Sequence, residues 1–262
     1  MDILQAILLA IIQGLTEFLP ISSSAHLLLP KEILGWPDQG LAFDVAVHLG
    51  SLVAVILYFR TQVGEIAIGG LNSLRGKWSD DSRLAWLLIL ATVPAAIAGL
   101  IFEDLIESNL RTSEVIAYAT LIGAVLLLVA DRYGRDDLEI GDLGWKLVLI
   151  IGMAQATAFI PGTSRSGITI TAALLVGLNA TSAARFSFLM SIPIIALSGG
   201  WQALQLLGTS DTPWLTIALA TLVSGVSAYL CIHYFLKLIQ SVGLMPFVIY
   251  RFALALVLLA FF

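Results

Sequence analysis

The strongest constraint on this chain is an apolar run that breaks in the same way twice. The first break reads Phe18-Leu19-Pro20-Ile21-Ser22-Ser23-Ser24-Ala25-His26, and the second Phe159-Ile160-Pro161-Gly162-Thr163-Ser164-Arg165-Ser166-Gly167. In each, a proline closes an apolar stretch, hydroxyl residues follow, and a new apolar stretch begins. The pattern predicts a helix end and a fresh helix start. A helix start presents unpaired N–H groups and the positive end of the dipole, so it suits an anion. The first break adds Glu17 and His26, and the second adds Arg165. Carboxylate, hydroxyls, imidazole and guanidinium inside apolar sequence point to phosphate chemistry at a membrane.

Only 12% of residues are charged and 59% are hydrophobic, with a mean hydropathy of +0.97. A soluble domain carries about 25% charged residues. The chain therefore reads as an all-α polytopic membrane protein, a single membrane domain over 1–262 surrounded by membrane lipids. The formal charge of −5 says little, because cations and acids sit in different loops. The single cysteine, Cys231, excludes an internal disulfide. The start of the chain, with Asp2 in place of a basic region and Glu17 near the end of the apolar run, does not resemble a signal peptide. No basic patch suggests nucleic acid, and no Cys/His cluster suggests a metal.

Six stretches are long and apolar enough to span: 43–60, 84–102, 113–130, 183–207, 214–239 and 246–262. Residues 3–19 with 23–35, and 147–160 with 165–178, form two shorter broken pairs. These read as re-entrant hairpins, which a membrane tolerates where protein surrounds the tip. Cations gather in the loops at 60–83 and 131–146 and near Lys237, which the positive-inside rule places in the cytoplasm. The turns at 103–112 and 208–213 then lie outside, with both termini. Each half reads as a hairpin plus three spans, repeat one over about 1–130 and repeat two over about 146–262, in opposite orientation. Inverted repeats bring their broken helices together near the midplane. Pro94 and Pro193 are expected in the same span of each repeat. The register is imperfect, since Gln13 precedes Pro20 by one residue more than Gln155 precedes Pro161.

Gln13 and Glu17 are i, i+4 and share a helix face. An intramembrane carboxylate is expensive unless used, which makes Glu17 a functional candidate; Gln13 either binds or simply satisfies it. One of Ser22, Ser23 and Ser24 is needed as a cap. Ser23 and His26 are i, i+3, so the imidazole is expected to reach the hydroxyl as base to nucleophile. His48 and His233 read as hydrogen-bonded core residues, Asp44 as a helix cap, and Arg185 and Arg251 as structural residues nearer the interfaces, with a deeper position open to Arg251 because Tyr250-Arg251 starts the final apolar run. Arg165 is the strongest single residue. Its planar fork matches phosphate oxygens, and Ser164, Ser166 and helix N–H groups complete an oxyanion cradle. Gly162 and Gly167 suit a tight turn.

With these residues in view, the sequence resembles the bacitracin-resistance family of undecaprenyl-diphosphate phosphatases. The family's Glu/Gln-x-x-x-Glu motif matches Gln13 to Glu17 and runs on through the serines to His26; its Pro-Gly-x-Ser-Arg-Ser-x-x-Thr motif matches Pro161 to Thr169. Phe43 to Ser51, Gly152 to Gln155 and Pro246 to Arg251 also look like family segments. Ala25 departs from the glycine that many members carry. The resemblance implies hydrolysis of a C55 polyprenyl diphosphate to monophosphate and phosphate, recycling the cell-wall lipid carrier. It implies an extracytoplasmic-facing site in the bacterial inner membrane and dependence on Mg²⁺ or Ca²⁺; few carboxylates lie deep in the chain, so Glu17 is the expected metal ligand. By the same resemblance Ser164, Arg165, Ser166 and Thr169 bind diphosphate; the residues themselves point to Glu17, Ser23, His26 and Arg165 as catalytic and to Gln13, Ser22, Ser24 and Gly162 as further substrate contacts. A homodimer is compatible with it.

The phosphatidic-acid phosphatase class also uses a Ser-Arg motif but needs histidine and aspartate where this chain has Thr171 and Leu175. A secondary transporter or flippase is the rival reading, because inverted repeats with broken helices are also transporter architecture. Two chemistries fit the residues: attack by Ser23, or attack by water activated by His26 or Glu17.

Overall fold

The computed structural model describes residues 2–105, 109–110, 112–206 and 214–261. Eleven helices make up most of it: α1 Ile3–Glu17, α2 Ser23–Leu34, α3 Leu41–Tyr58, α4 Arg60–Ser73, α5 Asp80–Leu105, α6 Ser113–Tyr133, α7 Trp145–Ala156, α8 Arg165–Leu175, α9 Ala180–Gln205, α10 Trp214–Val242 and α11 Met245–Phe261. Among the described residues the only β contact is a bridge between Leu138 and Leu178. The expected turn at 208–213 lies outside the described residues, as does part of that at 103–112.

Five helices, α3, α5, α6, α9 and α10, are long and apolar enough to cross a membrane. The sixth expected span is α11, whose 17 residues make a helix about 26 Å long against a hydrocarbon core of about 30 Å. The chain is an all-α multi-pass membrane protein. Its outer face carries large apolar side chains such as Leu57, Ile101, Leu222 and Ile249, as a lipid-facing surface requires. The interior packs around the rings of Phe18, Phe188 and Phe235.

Capping follows the sequence. Asp2 and Gln5 form a reciprocal capping box on α1, Thr112 caps α6, and Asn179 caps α9. Residues 60–83, expected as a loop, instead hold α4. The apolar stripe Val63, Ile66, Ala67, Gly70 has helical spacing, and the flanking cations hid it. Ser82 Oγ donates to the Gly69 carbonyl at 2.8 Å, clamping α4 to α5.

The two halves use matching contacts. Gly14 lets α1 approach α10, where a Cβ would come within 2.5 Å of the Ser224 carbonyl oxygen; Gly152 lets α7 approach α5, where a Cβ would come equally close to that of Ala91. Helix α10 therefore stands to α1 as α5 stands to α7. This corrects one expectation: Pro94 lies in α5 and Pro193 in α9, and these are not equivalent spans. It also explains the register. Gln13 stands nine positions before Ser22 and Gln155 nine before Ser164, so the caps correspond and the prolines are displaced by one.

Candidate active site

Each break must satisfy the backbone groups that its proline and turn leave unpaired. Both do so with a serine in the left-handed region: Ser22 at φ 73° and Ser164 at φ 70°, the only non-glycine residues with positive φ among those described. Ser22 Oγ accepts from Ala25 N at 3.4 Å and Ser164 Oγ from Gly167 N at 3.1 Å, starting α2 and α8. Such backbone costs about 1–2 kcal/mol for an L-residue, and strain of this kind concentrates at functional sites.

The tips then bond to each other. Gly162 N donates to Ser24 Oγ at 3.2 Å, and Ser166 Oγ donates to the Leu19 carbonyl at 2.7 Å. Gly162 has φ +94°, and a Cβ there would run into the Ile116 carbonyl. Beneath both tips lies Arg251, fully buried. Its guanidinium donates to the carbonyls of Pro20, Thr120, Gly162 and Thr163 at 3.0–3.3 Å. Arg251 thus takes the deeper of the two positions its sequence allows.

This scaffold brings four of the candidates together. Glu17 Oε1 lies 2.8 Å from Arg165 Nη2, and Glu17 Oε2 accepts from Gln13 Nε2 at 3.0 Å and from Ser23 Oγ at 3.1 Å. Arg165 Nη1 donates to the Ser187 carbonyl at 3.3 Å, and its guanidinium stands 5.7 Å over the Phe18 ring. Glu17 is buried and Arg165 nearly so, 8% and 12% exposed at the side chain. Ser23 is only partly buried, so its hydroxyl remains reachable.

The expected Ser23–His26 pair does not form. His26 Nδ1 lies 2.6 Å from the Ser22 carbonyl and Nε2 lies 2.7 Å from the Tyr250 hydroxyl. A carbonyl only accepts, so Nδ1 carries the proton and Tyr250 donates its O–H to Nε2. Both ring nitrogens are engaged, and the Ser23 hydroxyl takes the charged acceptor, Glu17, which makes the stronger bond. Thr169 does not join the cluster either. Its Oγ1 donates back to the Arg165 carbonyl at 2.8 Å and meets Ser187 Oγ at 2.7 Å, bracing α8 on α9.

His48 belongs to the site, contrary to its reading as a core residue: Nε2 lies 3.2 Å from Gln13 Nε2 and 3.9 Å from Glu17 Oε2. Tyr250 and Ser187 were also missed. Spacing within a segment signals none of these, since the contacts cross from one helix to another far along the chain. His233 meets the Tyr58 hydroxyl at 3.4 Å and the Tyr234 ring, and Arg185 donates to Gln62 at 3.0 Å, both away from the cluster and in exposed settings.

Among the described residues no three of His, Cys, Asp and Glu come together as a metal site. What the cluster does offer is oxygen: the Glu17 carboxylate, the Ser23 hydroxyl, and Gln13 Oε1, which is buried with no hydrogen-bond partner. Oxygen donors completed by substrate phosphates suit Mg²⁺ or Ca²⁺.

The family description that matches residues 6–257 is "Bacitracin resistance protein BacA". An undecaprenyl-diphosphatase of Teredinibacter turnerae is 60% identical over 260 residues, covering 98% of each chain. One of Saccharophagus degradans is 56% identical over 254 residues, 97% of this chain and 96% of its own. One of Thioalkalivibrio sulfidiphilus is 55% identical over the full length of both.

Proposed function

The chain belongs to the bacitracin-resistance BacA family, and on that premise we propose that it hydrolyses undecaprenyl diphosphate to undecaprenyl phosphate and inorganic phosphate. It is a membrane phosphatase that recycles the cell-wall lipid carrier. The observation that carries this reading is the convergence of Ser23, Glu17 and Arg165 at the meeting of two helix starts. The rival transporter reading has no comparable support.

Ser23 Oγ donates toward Glu17 Oε2, which supports Glu17 in place of His26 as the base. The serine oxygen forms a bond to the terminal phosphorus as the bridging P–O bond breaks. The proton passes to Glu17, and undecaprenyl phosphate leaves with the electron pair. Glu17 passes that proton to the departing undecaprenyl phosphate and is a carboxylate again. Water then attacks the phosphoserine, Glu17 takes the water's proton and gives it to the Ser23 oxygen as the Ser–O–P bond breaks, and phosphate departs with Ser23 restored. Arg165 is bound to Glu17 at rest. A diphosphate, with more charge and more acceptor oxygens, takes its place on the guanidinium fork and frees the carboxylate. Donors fixed in a dry site on a phosphoryl group are worth about 10²–10³ each in rate.

Glu17 and Gln13 Oε1 would hold Mg²⁺ or Ca²⁺ together with the substrate. The cation supplies charge neutralisation on the diphosphate. The single membrane domain comprises two inverted repeats, about 1–130 and 146–262, in the bacterial inner membrane. The distribution of cations supports a site that opens on the extracytoplasmic side. All the groups described come from one chain, so a homodimer is not needed to build the site. Phosphate release from undecaprenyl diphosphate by the purified protein tests the reading. Release by wild type and none by Ser23→Ala is the expected result; no release by wild type refutes it.

A further inference from the structure

Gln13 has one amide orientation that its neighbours accept. His48 Nδ1 lies 2.7 Å from the Asp44 carbonyl oxygen, which only accepts, so Nδ1 carries a proton and, in the neutral ring, Nε2 is a bare lone pair. That lone pair faces Gln13 Nε2 at 3.2 Å, and Glu17 Oε2 faces the same nitrogen at 3.0 Å. The amino group therefore gives one N–H to each. Turned over, the amide oxygen would meet a carboxylate oxygen and an imidazole lone pair, two repulsions in place of two hydrogen bonds. In the observed sense Gln13 Oε1 is buried and unpartnered. A buried acceptor without a donor is costly, and where one persists it commonly serves a ligand.

We propose that His48 is a positioning residue of this site, which locks the Gln13 amide so that its oxygen stays free for the cation–diphosphate complex. The role rests on the hydrolase reading for its purpose, but not for its geometry. Glu17 alone does not fix the amide, since a single hydrogen bond leaves the group free to swing. The second bond, from Gln13 to a histidine anchored on the α3 backbone, removes that freedom.

The test follows hydrogen exchange of the Gln13 side-chain amide in ¹⁵N-glutamine-labelled protein, assigned by its loss in Gln13→Leu, beside kcat/KM for undecaprenyl diphosphate. His48→Leu cannot accept a hydrogen bond. It is expected to speed exchange about tenfold and lower kcat/KM about tenfold, the worth of one hydrogen bond of this kind, mainly by raising the cation concentration for half activity. His48→Gln presents a carbonyl to the same N–H and is expected to recover most of both losses. Wild-type exchange in His48→Leu would overturn the proposal. So would a His48→Gln protein as impaired as His48→Leu at the wild-type thermal midpoint. Protection that is lost in His48→Leu and recovered in His48→Gln, in a protein that releases no phosphate, would uphold the role of His48 and refute the hydrolase reading instead.

Discussion

Glu17 and Arg165 stand 148 positions apart and meet at 2.8 Å, one from each broken helix pair. The bond ties the halves together at the point where both turn back. On the proposed mechanism it also holds the base and the phosphate clamp in mutual check until substrate separates them.

Removing the arginine should therefore do two things. Arg165→Ala is expected to lower turnover by about 10²–10³ or more. It should also destabilise the fold by about 3 kcal/mol, because it strands a buried carboxylate. Arg165→Lys should rescue activity poorly, since an ammonium lacks the planar fork. Adding Glu17→Gln to Arg165→Ala should return thermal stability without activity. Thermal midpoints and phosphate release of the variants check both halves; normal turnover in Arg165→Ala would remove the clamp from the account.

Glu17→Gln should weaken cation binding as well as remove the base. Mn²⁺ binding in the presence of pyrophosphate, followed by electron paramagnetic resonance, is expected to need at least tenfold more metal than in wild type. A carboxylate supplies the charge that such an ion requires. An unchanged titration would show that Glu17 is not a ligand.

Tyr250→Phe separates the two candidate bases. With Glu17 as base, the tyrosine only steadies His26, and its loss should lower kcat/KM about fivefold, one modest hydrogen bond. With His26 as base, the same change would release Nε2 toward Ser23 and raise the rate. Steady-state kinetics of the single variant distinguishes them.

These contrasts show what the sequence made legible. The two breaks, their charges and the all-α multi-pass plan were readable because proline, serine and apolar run length act locally. A serine cap after the first proline, and Gln13 with Glu17 on one face, follow from spacing alone; that Ser22 is the cap there and Ser164 in the second break is seen only in the fold. The partner of Ser23 was not readable: i, i+3 spacing permits a contact with His26, but Tyr250, from the far end of the chain, claims the ring. His48 and Arg251 were likewise decided by helices that meet only after folding. Helix α4 was obscured for a different reason, its apolar stripe being thin and flanked by cations.

Two glycines with positive φ should behave differently. Gly162→Ala combines φ +94° with a collision against the Ile116 backbone, whereas Gly76, at φ +78°, has nothing within 4 Å of an added Cβ. Gly76→Ala is expected to cost about 1 kcal/mol and keep activity. Gly162→Ala should fail to assemble the hairpin tips, seen as loss of the thermal transition and of turnover together. Equal stability of the two variants would contradict the packing described at the tips.

The central claim is that Ser23 attacks phosphorus and water follows. Each in-line displacement inverts the phosphorus centre, so two give net retention and one gives inversion. The most direct measurement is the stereochemical course of hydrolysis in isotopically labelled water, with a substrate whose terminal thiophosphate is chiral by oxygen isotope. Retention in the released thiophosphate is the predicted result. Inversion would contradict it, leaving a single attack by activated water with Ser23 as a hydrogen-bond donor.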